Sequence, residues 1–164
     1  NSGPRIGLTY ISDGEITEHL IDEFGVSSNF ISQFGYQFEK QIIGDDNIAG
    51  IIEGIVFIGG LDQGLFLPSL SGMFGLRNSD GLEFAVGPNL SLSGASLVIG
   101  LGKSFHFGNL NLPVNLAWVP SNQKIVTRYD SGLNENGVYY SNQFEETINS
   151  GHRFTITVGF NMKE

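Results

Sequence analysis

The stretch 153–161, with the sequence RFTITVGFN, alternates large apolar residues with small or polar ones. Four apolar side chains would share one face of an extended chain there: Phe154, Ile156, Val158 and Phe160. Strict alternation with a period of two residues is the pattern of a β-strand whose faces meet different surroundings. The stretch therefore predicts a strand with one apolar face and one polar face.

The same alternation recurs along the chain and predicts eight strands in all. The predicted strands are 5–11, 27–40, 48–58, 65–77, 82–92, 96–107, 110–119 and 153–161. Short glycine-containing turns between several of them favour antiparallel neighbours. We predict an all-β chain of one domain, residues 1–164, folded as a closed antiparallel up-and-down β-barrel.

The polar faces of these strands consist mostly of Gly, Ser, Asn and Thr, and only 15% of all residues are charged. Soluble domains contain about 25% charged residues, so such faces suit a narrow barrel interior better than a water-facing surface. Strands of about ten residues also match a tilted crossing of the bilayer. The sequence favours a transmembrane barrel with its apolar face towards lipid. The alternative is a soluble lipocalin-like barrel or a sandwich.

The composition argues against several function classes. Acidic residues outnumber basic ones 17 to 8, which argues against a nucleic-acid partner, and there are no cysteines. We find no metal-ligand cluster, phosphate loop or nucleophile motif, so we expect no cofactor and no bound metal. The chain begins at Asn1 without a signal-like segment. This start predicts either removal of an export signal or a trimmed end.

Paired residues in a hairpin face the same side of a sheet, so the turns predict registers. Phe107 and Leu110 would flank a two-residue turn, and Arg77 would lie opposite Glu83. A second tight turn would fall near 94–95.

Short and long connections are predicted to lie at opposite ends of the barrel. The short ones are 41–47, 78–81 and 108–109, and the long ones are 12–26 and 120–152. Outer-membrane barrels have short periplasmic turns and longer external loops. We therefore expect the two long connections to be external.

Charged residues on the polar faces are predicted to form a paired core inside the barrel. They are Arg5, Glu39, Glu53, Arg77, Glu83 and Arg153. Side chains fill the interior of an eight-stranded barrel, and buried charges require partners. We expect an ion-pair and hydrogen-bond core that also includes Gln33, Gln37, Asn89 and Asn115. A proton or ion path through the bore is the alternative.

Aromatic residues on the apolar face fall at the ends of predicted strands. Tyr10 and Trp118 would lie at the external ends, and Phe38, Phe107 and Phe160 at the periplasmic ends. Because aromatic residues are enriched where a bilayer meets water, these five residues predict an aromatic girdle.

The first external loop contains a predicted short amphipathic helix over residues 14–24. Ile16, Leu20 and Phe24 would form part of its apolar stripe. One interpretation is a lid packed over the barrel mouth. The other is a docking surface for another membrane protein or for lipid headgroups.

The loop 120–152 carries Tyr129, Tyr139 and Tyr140 among mixed charges. Its segments 123–129 and 138–144 would extend the last hairpin above the membrane. Exposed tyrosines are enriched at protein interfaces, so these residues are candidate partner contacts. A solvated long hairpin is the alternative.

Ser104 and His106 lie two residues apart on one predicted strand, beside Glu83 on the next. An outer-membrane lipid A deacylase uses Ser, His and Glu, so a lipid-modifying enzyme is one hypothesis. Strand parity directs both side chains into the lumen, however, and the spacing differs from that family's motif. We therefore expect no catalytic residue and no enzyme activity.

Four stretches, taken together with the strands and Phe160, support a family resemblance: 3–7 (GPRIG), 33–39 (QFGYQFE), 64–69 (GLFLPS) and 87–92 (GPNLSL). The chain resembles small eight-stranded outer-membrane barrels of the OmpA, OmpX and OmpW type, and most closely the small uncharacterised barrels of Bacteroidota. The resemblance covers nearly the whole chain and is architectural. It implies export to a Gram-negative outer membrane, contact with the bilayer and lipopolysaccharide, and no established activity.

We expect a non-enzymatic barrel that serves as a structural or accessory subunit of an outer-membrane protein complex. The lipid-facing wall, the helix 14–24 and the loop 120–152 would offer the contacts to other outer-membrane proteins. The alternatives are a narrow channel for small or hydrophobic solutes and a lipid-modifying enzyme.

Overall fold

The computed structural model describes residues 1–12, 29–45, 47–133 and 139–162. These residues form mainly antiparallel strands, with one 3-10 turn at Leu61–Gln63. The strands are β1 (Gly3–Ile11), β2 (Phe30–Gly44), β3 (Ile48–Gly59), β4 (Leu67–Asn78), β5 (Leu82–Ser91), β6 (Gly94–Phe107), β7 (Leu110–Val119), β8 (Gln123–Leu133), β9 (Tyr139–Asn149), β10 (Arg153–Gly159) and β11 (Asn161–Met162).

Eight of the strands form one closed antiparallel barrel. Strands β1 to β7 pair in chain order, and β10 pairs with both β1 and β7, which closes the ring. The short β11 continues along β7 beyond Phe160. The predicted closed eight-stranded antiparallel barrel with up-and-down order is therefore confirmed.

The two ends of the barrel differ in their connections. One end carries the short turns that join β2 to β3, β4 to β5 and β6 to β7, and we call it the turn end. The other end carries the hairpin formed by β8 and β9, and we call it the hairpin end. The three short turns predicted for one end therefore share that end, and the long connection between β7 and β10 lies at the other, together with the two-residue turn between β5 and β6. The long connection 12–26 lies almost wholly outside the described residues.

Strand β2 is longer than the predicted range 27–40 and continues to Gly44. Its pairing with β3 shifts between Gln41 and Ile43, which marks a β-bulge. After the strand, the backbone amides of Asn47 and Ile48 donate hydrogen bonds to Asp45 Oδ1. These hydrogen bonds hold the pKa of Asp45 below its usual range.

Two predicted registers are confirmed at the turn end. Arg77 pairs with Glu83 across β4 and β5, and Phe107 pairs with Leu110 across β6 and β7. The first turn contains Gly81, whose φ of 81° is in the left-handed region that glycine adopts without a steric penalty.

The predicted tight turn near 94–95 is wrong. Leu92 and Ser93 form the turn instead, and Ser91 pairs directly with Gly94. Gly94 has a φ of 108°, a backbone conformation that L side chains rarely adopt. The chain therefore re-enters the sheet two residues earlier than β6 was predicted to begin, and Leu97 lies opposite Pro88.

Strands β8 and β9 form a separate two-stranded sheet beyond the ring. The sequence predicted that the loop would extend the last hairpin, and the observed strands are longer than the predicted segments 123–129 and 138–144. The predicted helix 14–24, with Ile16, Leu20 and Phe24, lies outside the described residues. In the described ranges, no helix is long and apolar enough to cross a membrane.

The barrel wall and the barrel interior differ sharply in polarity. Large apolar side chains cover the wall, and Phe74 and Phe107 are each 63% exposed. The interior holds a small apolar cluster around Met73, Ala85 and Val98, together with many buried polar groups. The polar groups in the interior are thus the candidates for function.

Candidate functional site: the barrel lumen

Arg77 forms the centre of a charged cluster at the turn end of the lumen. Its Nε donates a hydrogen bond of 2.9 Å to Glu83 Oε2, and its Nη1 donates one of 2.6 Å to Glu39 Oε1. Nη2 contacts both carboxylates. One guanidinium thus bridges strands β2, β4 and β5 through charge-assisted hydrogen bonds, which are stronger than neutral ones.

Arg5 forms a second polar chain beside the first. Its Nε donates a hydrogen bond of 3.0 Å to Gln37 Oε1, and Gln37 Nε2 donates in turn to Glu53 Oε1. Arg5 is only 1% exposed, and Glu53 is 3% exposed. A Cβ at Gly159 would overlap the Arg5 guanidinium, so the absence of a side chain at 159 makes room for this buried cation.

The three carboxylates of this region lie close together. Oxygens of Glu39, Glu53 and Glu83 lie within 4.8 Å of one another, which is the spacing that a hard cation such as Mg²⁺ or Ca²⁺ requires. The Arg77 guanidinium already binds two of these groups. The positive charge of Arg77 therefore neutralises two of the carboxylates that a metal ion would use as ligands.

We call Arg5, Glu39, Glu53, Arg77 and Glu83 the turn-end cluster. The structure brings these five residues together: Arg77 forms ion pairs with Glu39 and Glu83, whereas Arg5 and Glu53 are linked through Gln37. Arg153, the sixth residue of that predicted core, lies apart at the start of β10. It donates hydrogen bonds to Ser91 Oγ and Asn89 Oδ1, each of 3.0 Å.

Two cavities lie in the lumen away from the centre of the turn-end cluster. The middle cavity has a volume of ≈ 80 Å³, and Glu53 and Glu83 line it on the side of the turn end. The upper cavity has a volume of ≈ 70 Å³ and lies nearer the hairpin end, where Ile11 and Ser150 line it. Arg153 lines both cavities and therefore lies at the boundary between them.

Ser104 and His106 do not form a catalytic pair in the described part of the chain. Ser104 is buried, and its Oγ accepts a hydrogen bond of 2.9 Å from Asn1 Nδ2. His106 is exposed beyond the lumen, opposite Asn111 of β7. No hydrogen bond joins the two side chains, so the arrangement lacks the base that would activate a serine hydroxyl.

All five predicted girdle residues lie on the outer wall. At the hairpin end, Tyr10 packs on Phe30 with ring centroids 5.2 Å apart, and Trp118 stacks on Phe154 at 6.5 Å. The other three are exposed at or near the turn end: Phe38, Phe107 and Phe160.

The candidate partner residues of the hairpin are exposed where the structure describes them. Tyr129 is 69% exposed and Tyr139 is 68% exposed. The register pairs Tyr129 with Gln143, and Leu133 with Tyr139, so both tyrosines lie on one face of the hairpin. The side chain of Tyr140 lies outside the described part, as do Ile16, Leu20 and Phe24.

Sequence reasoning missed some polar contacts of the lumen. Thr9 and Thr155 share a hydrogen bond of 2.7 Å between their hydroxyl groups, and Asn89 Nδ2 donates to Ser71 Oγ at 2.9 Å. The alternation placed all of these residues on the inner faces. Both pairs lie directly opposite each other in the sheet. The predicted register of Arg77 with Glu83 already implies that Ser71 faces Asn89, and the register of β10 with β1 would have paired Thr9 with Thr155.

Comparison with protein-family models, with curated proteins and with solved structures finds no match to this chain.

We expect the substitution Arg77→Met to lower the free energy of unfolding by about 3–5 kcal/mol, because Glu83 would lose its ion-pair partner and Glu39 would keep only the amino group of Asn1. Urea titration of the purified barrel, followed by the fluorescence of the single tryptophan Trp118, measures this change. Adding Glu39→Gln and Glu83→Gln to the variant should restore part of the loss.

The matched control is Lys103→Met, which removes a cation whose Nζ donates to the Asp80 carbonyl oxygen. A surface change of this kind is expected to alter stability by about 0.5 kcal/mol or less. Equal effects of the Arg77 and Lys103 variants would contradict the structural role of the turn-end cluster.

Proposed function

We propose that this chain is a membrane-spanning β-barrel that serves as a structural or accessory subunit of an outer-membrane protein complex. The observation that carries the proposal is the inverted polarity of the barrel. Its interior contains buried Arg, Glu, Gln and Asn, and its wall is covered by exposed Phe, Leu, Ile and Val. A soluble barrel has the opposite distribution, because its apolar side chains avoid water.

The wall is almost free of charge. Among the side chains that face outward from the described ring strands, only Lys40 and Lys103 are charged, and both belong to the half nearer the turn end. Long lysine side chains near the edge of an apolar belt reach the headgroup region of a bilayer. Such a wall fits a hydrocarbon environment and fits water poorly.

Aromatic pairs at the hairpin end support the same placement. Tyr10, Phe30, Trp118 and Phe154 form two ring contacts at one level of the wall. Aromatic side chains concentrate where hydrocarbon meets headgroups. We infer that the bilayer interface lies at this level and that the β8–β9 hairpin extends beyond it.

An outer membrane is the expected location, because single-chain barrels with short turns at one end and longer connections at the other are typical of that membrane. The lipid contacts would then include lipopolysaccharide. The resemblance to small Gram-negative barrels of Bacteroidota agrees with this proposal and rests on the sequence stretches quoted above.

We expect Leu101→Arg to destabilise the barrel in lipid vesicles by about 2–4 kcal/mol, because Leu101 lies at the middle of β6 and faces outward between Phe84 and Leu116. Urea titration in vesicles measures the change. The matched control Leu82→Arg places the same charge at the first residue of β5, beside the turn end. Its expected penalty is about 0–1 kcal/mol. A neutral or stabilising effect of Leu101→Arg would contradict the lipid-facing wall.

The β8–β9 hairpin supports the subunit role. A two-stranded hairpin alone is marginally stable in water, yet each strand here continues for 11 residues. Ile125, Tyr129 and Tyr139 are all highly exposed on one face of it. Because tyrosines are enriched at interfaces, this face is the candidate contact with another outer-membrane protein.

A photo-crosslinking amino acid at Tyr129 or Tyr139 should give one discrete protein adduct in the native cell envelope. The same probe at Asn142, which pairs with Asp130 and lies on the opposite face, is the control and should give much less of it. Adducts of equal yield from both faces, or none together with a monomeric barrel after detergent extraction, would contradict the subunit role.

The alternative of a narrow channel finds partial support in the two cavities. A solute that crossed the barrel would have to displace the turn-end cluster, in which Arg77 bridges two carboxylates. This cluster favours a bore that is blocked at one end over a continuous path.

A further inference from the structure

Arg153 differs from the other lumen arginines in its surroundings. Arg77 binds two carboxylates, and Arg5 belongs to the same turn-end cluster, although its hydrogen bonds go to neutral acceptors. The guanidinium of Arg153 reaches across the bore from β10 to β5, where it donates to Ser91 Oγ and Asn89 Oδ1. Both acceptors are neutral. The ion pairs among the described residues involve Arg77 and the amino group of Asn1, and none of them involves Arg153.

Arg153 is half-buried, and a guanidinium that is partly removed from water carries a cost unless an opposite charge is near. It offers five N–H donors, and the two described bonds to Ser91 and Asn89 leave donors available. The described carboxylates of the lumen do not supply the missing charge, because Glu39 and Glu83 are bound to Arg77 and Glu53 accepts a hydrogen bond from Gln37. Among the described residues, Arg153 is therefore a lumen cation without an ion-pair partner.

The space beside Arg153 is large enough for a small anion. The two cavities that it lines have volumes of ≈ 80 Å³ and ≈ 70 Å³, and a single bound water needs only about 10–15 Å³ of such space. Polar side chains line both cavities together with Arg153: Thr9, Gln33 and Ser69. A small oxyanion with a few heavy atoms would find hydrogen-bonding groups on several sides.

Gln33 adds a second, independent observation. Its Oε1 is buried and has no hydrogen-bond partner. A buried acceptor without a donor loses the free energy of its hydration, about 1–3 kcal/mol. Since Gln33 lines the same two cavities as Arg153, a ligand that has both a negative charge and an O–H donor would satisfy both groups.

We propose that the lumen of this barrel contains a binding site for a small protonated oxyanion of the hydrogen phosphate class. Arg153 binds its charged oxygens, and Gln33 Oε1 accepts a hydrogen bond from its hydroxyl group. Beyond the far end of the middle cavity, where Glu53 and Glu83 line it, Arg77 binds Glu39 and Glu83 and the turn-end cluster fills the bore. The site therefore retains the anion and does not pass it through the barrel.

The proposal does not depend on what surrounds the outer wall, because every group in it lies inside the barrel. A failure to bind phosphate would therefore leave the membrane and subunit proposals unaffected, and their failure would leave the phosphate site unaffected.

Isothermal titration calorimetry of the full chain in a zwitterionic detergent, with inorganic phosphate at neutral pH, tests the site. We expect Arg153→Gln to weaken phosphate binding by about tenfold or more, because it removes a charged hydrogen-bond donor. Lys103→Gln is the matched control: it removes the same charge from the wall and should bind phosphate as the wild type does. Arg153→Lys, which retains the charge, should bind with intermediate affinity.

Sulfate and acetate test the role of Gln33, since both are fully deprotonated at neutral pH and have no O–H donor. The wild type should prefer phosphate to sulfate, and Gln33→Met should reduce this preference. Far-UV circular dichroism of each variant verifies that the barrel is folded. The proposal is overturned if the wild type binds no phosphate, or if folded Arg153→Gln and the wild type bind it equally. Equal binding of phosphate and sulfate by the wild type overturns the assignment of Gln33.

Discussion

The pairing of β10 with both β1 and β7 is the constraint on which the rest of this structure depends. It closes the ring, so that neither end of the eight-stranded order remains an open edge. Closure turns the alternation within each strand into a difference between inside and outside, because side chains of successive residues point to opposite faces. In a bilayer, closure is also the only way for a sheet to pair its backbone groups.

The width of the ring explains why charges inside it are arranged in pairs and chains. Eight strands leave an interior that side chains nearly fill, so each buried group must find its partner among a few neighbours. Gly159 leaves the space into which the Arg5 side chain fits. Carboxylates and two arginines gather at the turn end, whereas Arg153 lies alone near the hairpin end. The lumen thus has a different electrostatic character at its two ends.

Much of the fold could be predicted from the sequence, because period-two alternation and turn parity are local properties. They predicted the strands, the inward faces and the pairing of Arg77 with Glu83. They could not predict which inward charges share one level of the bore, since that depends on the stagger between strands and not on order along the chain. For this reason Arg153 was grouped with a cluster from which it is separated. The turn at Leu92 and Ser93 was missed because turns at 92–93 and at 94–95 both keep the same residues of β5 and β6 on the outer face. Parity alone does not distinguish the two turns.

The central claim is that the barrel is polar inside and faces lipid outside. Electron paramagnetic resonance of nitroxide labels on single cysteines tests it most directly, because the native chain contains no cysteine. Labels at Leu112 and Leu116 on the wall, and at Gln143 on the hairpin, would be compared in lipid vesicles. The account predicts frequent collisions with oxygen and few with a water-soluble nickel complex at Leu112 and Leu116, and the reverse at Gln143. Free access of the nickel complex to both wall positions would contradict it.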